Sequence, residues 1–182
     1  MKKIILMAVM SVMTLTAAAE GWFVGGSVGA WRNDQDKITS ITIAPEFGYN
    51  LDSHWAIGTV IGWNYTHTTG VDGNIVDFQP YVRYIAYSKG IVSLFVDGGA
   101  DLGFGKVSMD GYDSDTASTY GIGFKPGISL ALNDHCSIEA HAGFLGYRGS
   151  NDEAKAILVD GYDGWGFDFS GYNLSFGFYY SF

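Results

Sequence analysis

Glu46, Arg83, Asp97, Asp101, Lys125, Glu139 and His141 are ionisable side chains set in stretches that are otherwise apolar or small. Cations interleaved with carboxylates and an imidazole could relay protons, line an ion path, or neutralise one another as a structural plug. A second acidic set lies in Asp110-Gly111-Tyr112-Asp113, followed by Asp115, and in Asp160-Gly161-Tyr162-Asp163, followed by Asp168. Clustered carboxylates suit calcium, but this spacing matches no EF-hand loop, so the two segments read as solvated loops and no metal or cofactor is assigned. Acid–base or nucleophilic catalysis needs a base within hydrogen-bond reach of a nucleophile and a third group to orient it. His54 and His135 fall in short polar turns and His141 on an inward face. His67 stands among Thr66, Thr68 and Thr69 with no serine beside it. The chain therefore reads as non-catalytic.

The segments that must position these groups alternate with a period of two. The clearest is the last, where Tyr172, Leu174, Phe176, Phe178, Tyr180 and Phe182 are large and apolar while Asn173, Ser175, Gly177 and Ser181 are small or polar. This is the signature of a β-strand with one greasy face. The same alternation predicts eight strands, at Gly21–Trp31, Ile38–Tyr49, Trp55–Thr66, Ile75–Tyr87, Ile91–Lys106, Thr119–Leu132, Cys136–Tyr147 and Phe169–Phe182. Short polar linkers (50–54, 88–90, 133–135) alternate with longer ones (32–37, 67–74, 107–118, 148–168). Pro45, Pro80 and Pro126 recur in strands two, four and six; each forfeits a ladder hydrogen bond, and bulges or bends are expected there.

Parity sorts the side chains by face. Trp55, Ile57, Ile61, Trp63 and Tyr65 alternate with Ala56, Gly58, Gly62 and Asn64; Leu94, Val96, Leu102 and Phe104 alternate with Ser93, Asp97, Gly99 and Asp101. The ions share the small-residue face. A soluble sandwich or ligand-binding barrel would put the bulky groups inside and the charges outside. The reverse arrangement fits a transmembrane barrel with its oily face to lipid, and eight strands leave an interior narrow enough for side chains to fill. A structural plug is therefore favoured over an ion path, with Arg83 and Lys125 bridging Glu46, Asp97, Asp101 and Glu139. Trp22, Tyr49, Trp55 and Tyr180 at one end, with Trp63, Tyr65 and Tyr120 at the other, fit interface girdles. The aromatics Tyr112, Tyr162, Trp165 and Phe167 fall in the two longest loops, where exposed rings suggest contact with a ligand or surface.

Composition agrees. Lys2 and Lys3, an apolar run to about Leu15 and Ala17-Ala18-Ala19 form the three parts of a secretory leader, predicting a signal peptide at 1–19 and one barrel domain at 20–182. A formal net charge of −9, more acidic once the leader's lysines are gone, argues against nucleic-acid binding. Cys136 is the only cysteine, which excludes an internal disulfide. Aromatic residues at 16% match charged residues at 16%, an unusual balance for a water-soluble chain.

The leader, the hairpin Pro45–Trp63 (PEFGYNLDSHWAIGTVIGW), the Pro80–Tyr84 segment (PYVRY) and the alternating terminal strand ending on Phe182 together resemble the small outer-membrane β-barrel proteins of the OmpA/OmpX-like superfamily, in particular its barrel-only members. The resemblance implies an all-β, eight-stranded antiparallel up-and-down meander in the outer membrane of a Gram-negative bacterium, with both termini periplasmic. It further implies that Tyr180 and Phe182 serve as the signal read by the outer-membrane assembly machinery, and that no cell-wall-binding domain follows. The partners expected are outer-membrane lipid, that machinery and an extracellular ligand or surface. The role expected is structural or surface contact, with a small porin-like channel and a lipid A-modifying enzyme as alternatives.

Overall fold

The computed structural model describes residues 21–33, 38–68, 71–109, 112–113, 116–152, 154, 163–169 and 174–182. Eleven strand segments follow in order: β1 (Trp22–Asn33), β2 (Ile38–Asn50), β3 (Trp55–Thr68), β4 (Val71–Lys89), β5 (Val92–Met109), β6 (Tyr112–Asp113), β7 (Ala117–Ala131), β8 (Cys136–Ala142), β9 (Phe144–Ser150), β10 (Gly164–Asp168) and β11 (Leu174–Ser181). They make a closed, eight-stranded antiparallel barrel. β8 and β9 are two pieces of the seventh strand, β10 and β11 two pieces of the eighth, and β6 is a short extension paired to the end of β5. The ring closes where Phe23↔Ser181 through Gly26↔Phe178 join β1 to β11.

Two departures from the sequence reading bear on function. β4 begins at Val71 instead of Ile75, so β3 and β4 pair up to Thr68↔Val71, and the segment read as a loop is mostly hairpin. The eighth strand begins at Gly164, not Phe169, and Trp165 and Phe167 lie on β10 opposite Tyr147 and Leu145 of β9. The alternation simply continued, and the glycines between those aromatics hid it.

Pro45 and Pro80 do not shift the register. β2 pairs with β3 through Ile43↔Trp63 and resumes at Glu46↔Val60 in the same frame. β4 pairs with β5 through Phe78↔Leu102 and resumes at Tyr81↔Gly99, again in frame. A one-residue slip would turn every later side chain to the wrong face, which costs far more than one missing bond. One irregularity falls between Ile85 and Tyr87 on β4. The other is at Gly143, whose φ of 77° separates β8 from β9 opposite Pro126. There the pairing steps by one residue from Phe124↔Leu145 to Gly127↔His141, so the bulge expected at the prolines is found at Pro126 alone.

Two of the three short polar turns at one end use the same device. Asp52 Oδ1 accepts from the backbone N–H of His54 at 2.7 Å and of Trp55 at 2.9 Å. Asn133 Oδ1 accepts from those of His135 at 2.9 Å and Cys136 at 2.8 Å. Asx side chains that satisfy turn amides fix a tight hairpin. The wall between the ends is apolar outside: Ile57, Ile61, Val76, Phe78, Val82, Leu94, Leu102, Phe104, Ile122, Phe124 and Phe176 are exposed. Inside are Phe23, Ala56, Phe95, Phe144 and Tyr179, together with buried Glu46, Arg83, Asp97 and Glu139.

Candidate functional site: the charge node in the lumen

Arg83 projects from β4 into the short-turn half of the barrel. Its Nε donates to Asp97 Oδ1 at 2.7 Å and its Nη2 to Asp97 Oδ2 at 2.9 Å, a bidentate fork. Nη1 donates to Glu139 Oε2 at 2.7 Å, and Nη2 lies 3.5 Å from Glu46 Oε1. His141 Nε2 sits 2.8 Å from Asp97 Oδ2. Glu46 is also met by two phenols: Tyr179 donates to Oε2 at 2.6 Å, and Tyr81 donates to Oε1. The node thus straps β2, β4, β5, β8 and β11 together across the lumen.

Three carboxylates around one guanidinium would be costly without further donors, and the two tyrosines and the histidine supply them. The guanidinium also lies over aromatic rings, with its Cζ 3.9 Å from the Phe95 centroid and 5.2 Å from that of Tyr81. Such stacking suits arginine's flat, weakly hydrated cation. Room for the inward aromatics comes from glycine. Tyr179 lies over Gly25, Phe23 over Gly48, Tyr81 over Gly58 and Phe95 over Gly127, each pair directly across a strand ladder. A Cβ at any of the four glycines would collide with the ring.

Lys125 and Asp101, expected in the same bridge, stand apart from it. Lys125 Nζ donates to Gln79 Oε1 at 2.7 Å and lies 4.0 Å from Asp101 Oδ2. Between this tier and the node is a cavity of about 220 Å³ lined by Ser27, Gln79, Asp101, Lys125, Ser175 and the upper side of the node. Nearer the long-loop end, Thr42 donates to Asn64 at 2.8 Å and Asn64 to Asp77 at 2.6 Å.

Sequence reasoning missed Tyr81, Tyr179, Phe23 and Phe95. Phe95 falls by parity on the inward face with Asp97, as Tyr81 does with Arg83, but β1 and β11 carry no inward ion to mark Phe23 and Tyr179.

The remaining sequence candidates are scattered. Trp165 and Phe167 are 80% and 76% exposed on the outer wall of β10, which corrects their placement in a loop. Tyr112 belongs to the two-residue β6, paired through its backbone to Met109. Tyr162, Asp110, Asp115 and Asp160 lie outside the described residues. Tyr180 faces outward, stacked on His135 with centroids 5.6 Å apart and edge-on to Phe182 at 4.9 Å. His67 Nδ1 lies 2.7 Å from Asp72 Oδ1, which also accepts from the Tyr65 hydroxyl at 2.8 Å. Among the described residues no hydroxyl or thiol is hydrogen-bonded to His67.

A closed antiparallel barrel with an oily exterior and ions sealed inside defines an integral membrane β-barrel. The chain belongs to the outer membrane protein beta-barrel domain family, whose profile matches residues 4–182. Its fold is similar to the crystal structure of Neisserial surface protein A (NspA), at 16% identity and a TM-score of 0.57, covering 91% of this chain and 99% of that one. The outer membrane protein OprG from Pseudomonas aeruginosa matches at 14% identity and a TM-score of 0.48, over 90% of this chain and 96% of that one. No curated protein sequence matches the chain.

Proposed function

We propose that this outer-membrane barrel is non-catalytic and non-conducting, and that it serves as a structural wall element presenting its long-loop end to the cell exterior. In this reading residues 1–19 are removed on export, both termini of the mature chain face the periplasm, and Tyr180 and Phe182 are the residues read by the assembly machinery. The observation that carries the proposal is the node. Glu46, Arg83, Asp97 and Glu139 are all less than a tenth exposed, and with Phe23, Phe95 and Tyr179 they fill the lumen of a narrow barrel.

Surface presentation is supported by the strand lengths. A strand tilted through the bilayer needs roughly 9–11 residues, whereas β4 has 19 and β5 has 18. The excess at their long-loop ends carries a polar hairpin beyond the hydrocarbon. Recording in planar bilayers tests the proposal: the wild-type protein is expected to show no steady unitary current, and a stable ion-selective conductance would replace this reading with the porin-like one. Protease treatment of intact cells should cleave within 107–118 or 148–168; protection of both segments would reverse the orientation. Mass spectrometry of lipid A from overexpressing cells should show no new species.

A further inference from the structure

We propose that the outward face of β3, β4 and β5 at the long-loop rim binds the phosphorylated sugar headgroup of an outer-leaflet glycolipid. The inference rests on the orientation proposed above. The register places Tyr65, Asn74 and Lys106 in one cross-strand row and His67 beside Asp72 in the next. Both rows share the face of Ile61, Val76 and Phe104, so this is the outer wall and not the lumen.

Neighbouring strands lie about 4.8 Å apart and two residues rise about 6.8 Å, so the patch spans about 10 Å by about 7 Å, the footprint of a sugar and its phosphate. Its parts suit such a group. Trp63 and Tyr65 stack with centroids 6.2 Å apart and planes 14° from parallel, a flat amphipathic platform one row below the polar groups. Asp72 holds both Tyr65 and His67, fixing the imidazole so that Nε2 remains available to a ligand. Asn74 offers amide donors and an acceptor to hydroxyls, and Lys106 is an exposed ammonium for a phosphate.

Two observations choose a lipid over a soluble ligand or a protein. The patch is continuous with the aliphatic wall directly beneath it, so an amphipathic molecule would rest its chains on Ile61, Val76 and Phe104 while its head met the polar rows. The patch is also one-sided. On β7, paired to β5, and on β9 and β10 beyond it, the outward residues Tyr120, Ile122, Leu145, Trp165 and Phe167 are aromatic or aliphatic and uncharged, as an unspecific girdle would be.

The test reconstitutes the full mature chain in phosphatidylcholine nanodiscs doped with lipid A or with its dephosphorylated form, and reads retained glycolipid by native mass spectrometry. Wild type should favour lipid A over the dephosphorylated probe by about tenfold, the worth of a charge-assisted contact. A His67→Gln/Lys106→Gln double variant should lose that preference, while Lys125→Gln, a lumen cation, keeps it. Equal retention of both probes by wild type, or an unchanged preference in the double variant, overturns the site. The two-probe comparison on wild type needs no variant, so a folding failure leaves the proposal exposed. A Thr116→Cys variant, exposed at the same end but off the patch, treated on intact cells with a membrane-impermeant maleimide separates the two readings. Labelling supports the orientation; absence of labelling overturns the orientation and, with it, the assignment to an outer-leaflet lipid, whatever the nanodiscs retain.

Discussion

Arg83 and Lys125 are cations on the inward face of the same barrel, and Asp97 lies directly across a ladder from both: Arg83↔Asp97 on one side and Asp97↔Lys125 on the other. They nevertheless end in different environments. The Arg83 side chain is 5% exposed and holds three carboxylates, whereas that of Lys125 is 32% exposed and turns away to Gln79. Asp97 has few lone pairs to offer. A planar fork that can also lie flat on Phe95 captures both its oxygens, and a point charge on a flexible stem cannot match that. Lys125 faces the cavity above instead. Equal proximity in register, then, does not give equal electrostatics; shape and packing decide which ion is sealed.

The largest effect should come from removing the sealed cation. Arg83→Met leaves Glu46, Asp97 and Glu139 facing one another and should cost about 3–5 kcal/mol, read as a shifted urea midpoint in lipid vesicles and loss of the heat-modifiable folded band on gels. Arg83→Lys should recover only part of it, because the fork and the stack are both gone. A full recovery would dissolve the contrast.

Next is Tyr179→Phe, which removes one donor to the buried Glu46 while keeping the ring over Gly25; about 1–3 kcal/mol is expected in the same assay. Lys125→Met should move the midpoint by less than about 1 kcal/mol, since its carboxylate partner Asp101 is partly exposed and distant. A loss as large as that of Arg83→Met would show the two tiers to be one network.

The smallest effect belongs to a carboxylate wholly in water. The backbone N–H groups of His54 and Trp55 hold the Asp52 pKa below its ordinary value. A carboxylate with a lowered folded-state pKa stabilises fully above its unfolded pKa, near pH 4, and loses that contribution as acid carries it through the folded value. Asp52→Ala should therefore be slightly less stable than wild type at neutral pH, with the difference closing below about pH 4. A difference that grew in acid would refute the assignment.

Much of the fold was legible in the residues. Alternation located the barrel strands because lipid on one side and a narrow lumen on the other impose a strict period of two, and a one-residue slip reverses every face. Gly164–Asp168 was missed because glycines separate its two outward aromatics, and Val71–Asn74 because it is too polar to show the greasy alternation that lipid demands.

The order of residues dictates which face each ion takes, since parity is a local property of the strand. It does not dictate which ions meet. That Arg83 gathers Glu46, Asp97 and Glu139 while Lys125 is left to Gln79 depends on closure of the ring and the stagger of strands far apart in the chain. Only the closed barrel fixes those distances, and a charge buried in low dielectric is decided by ångströms.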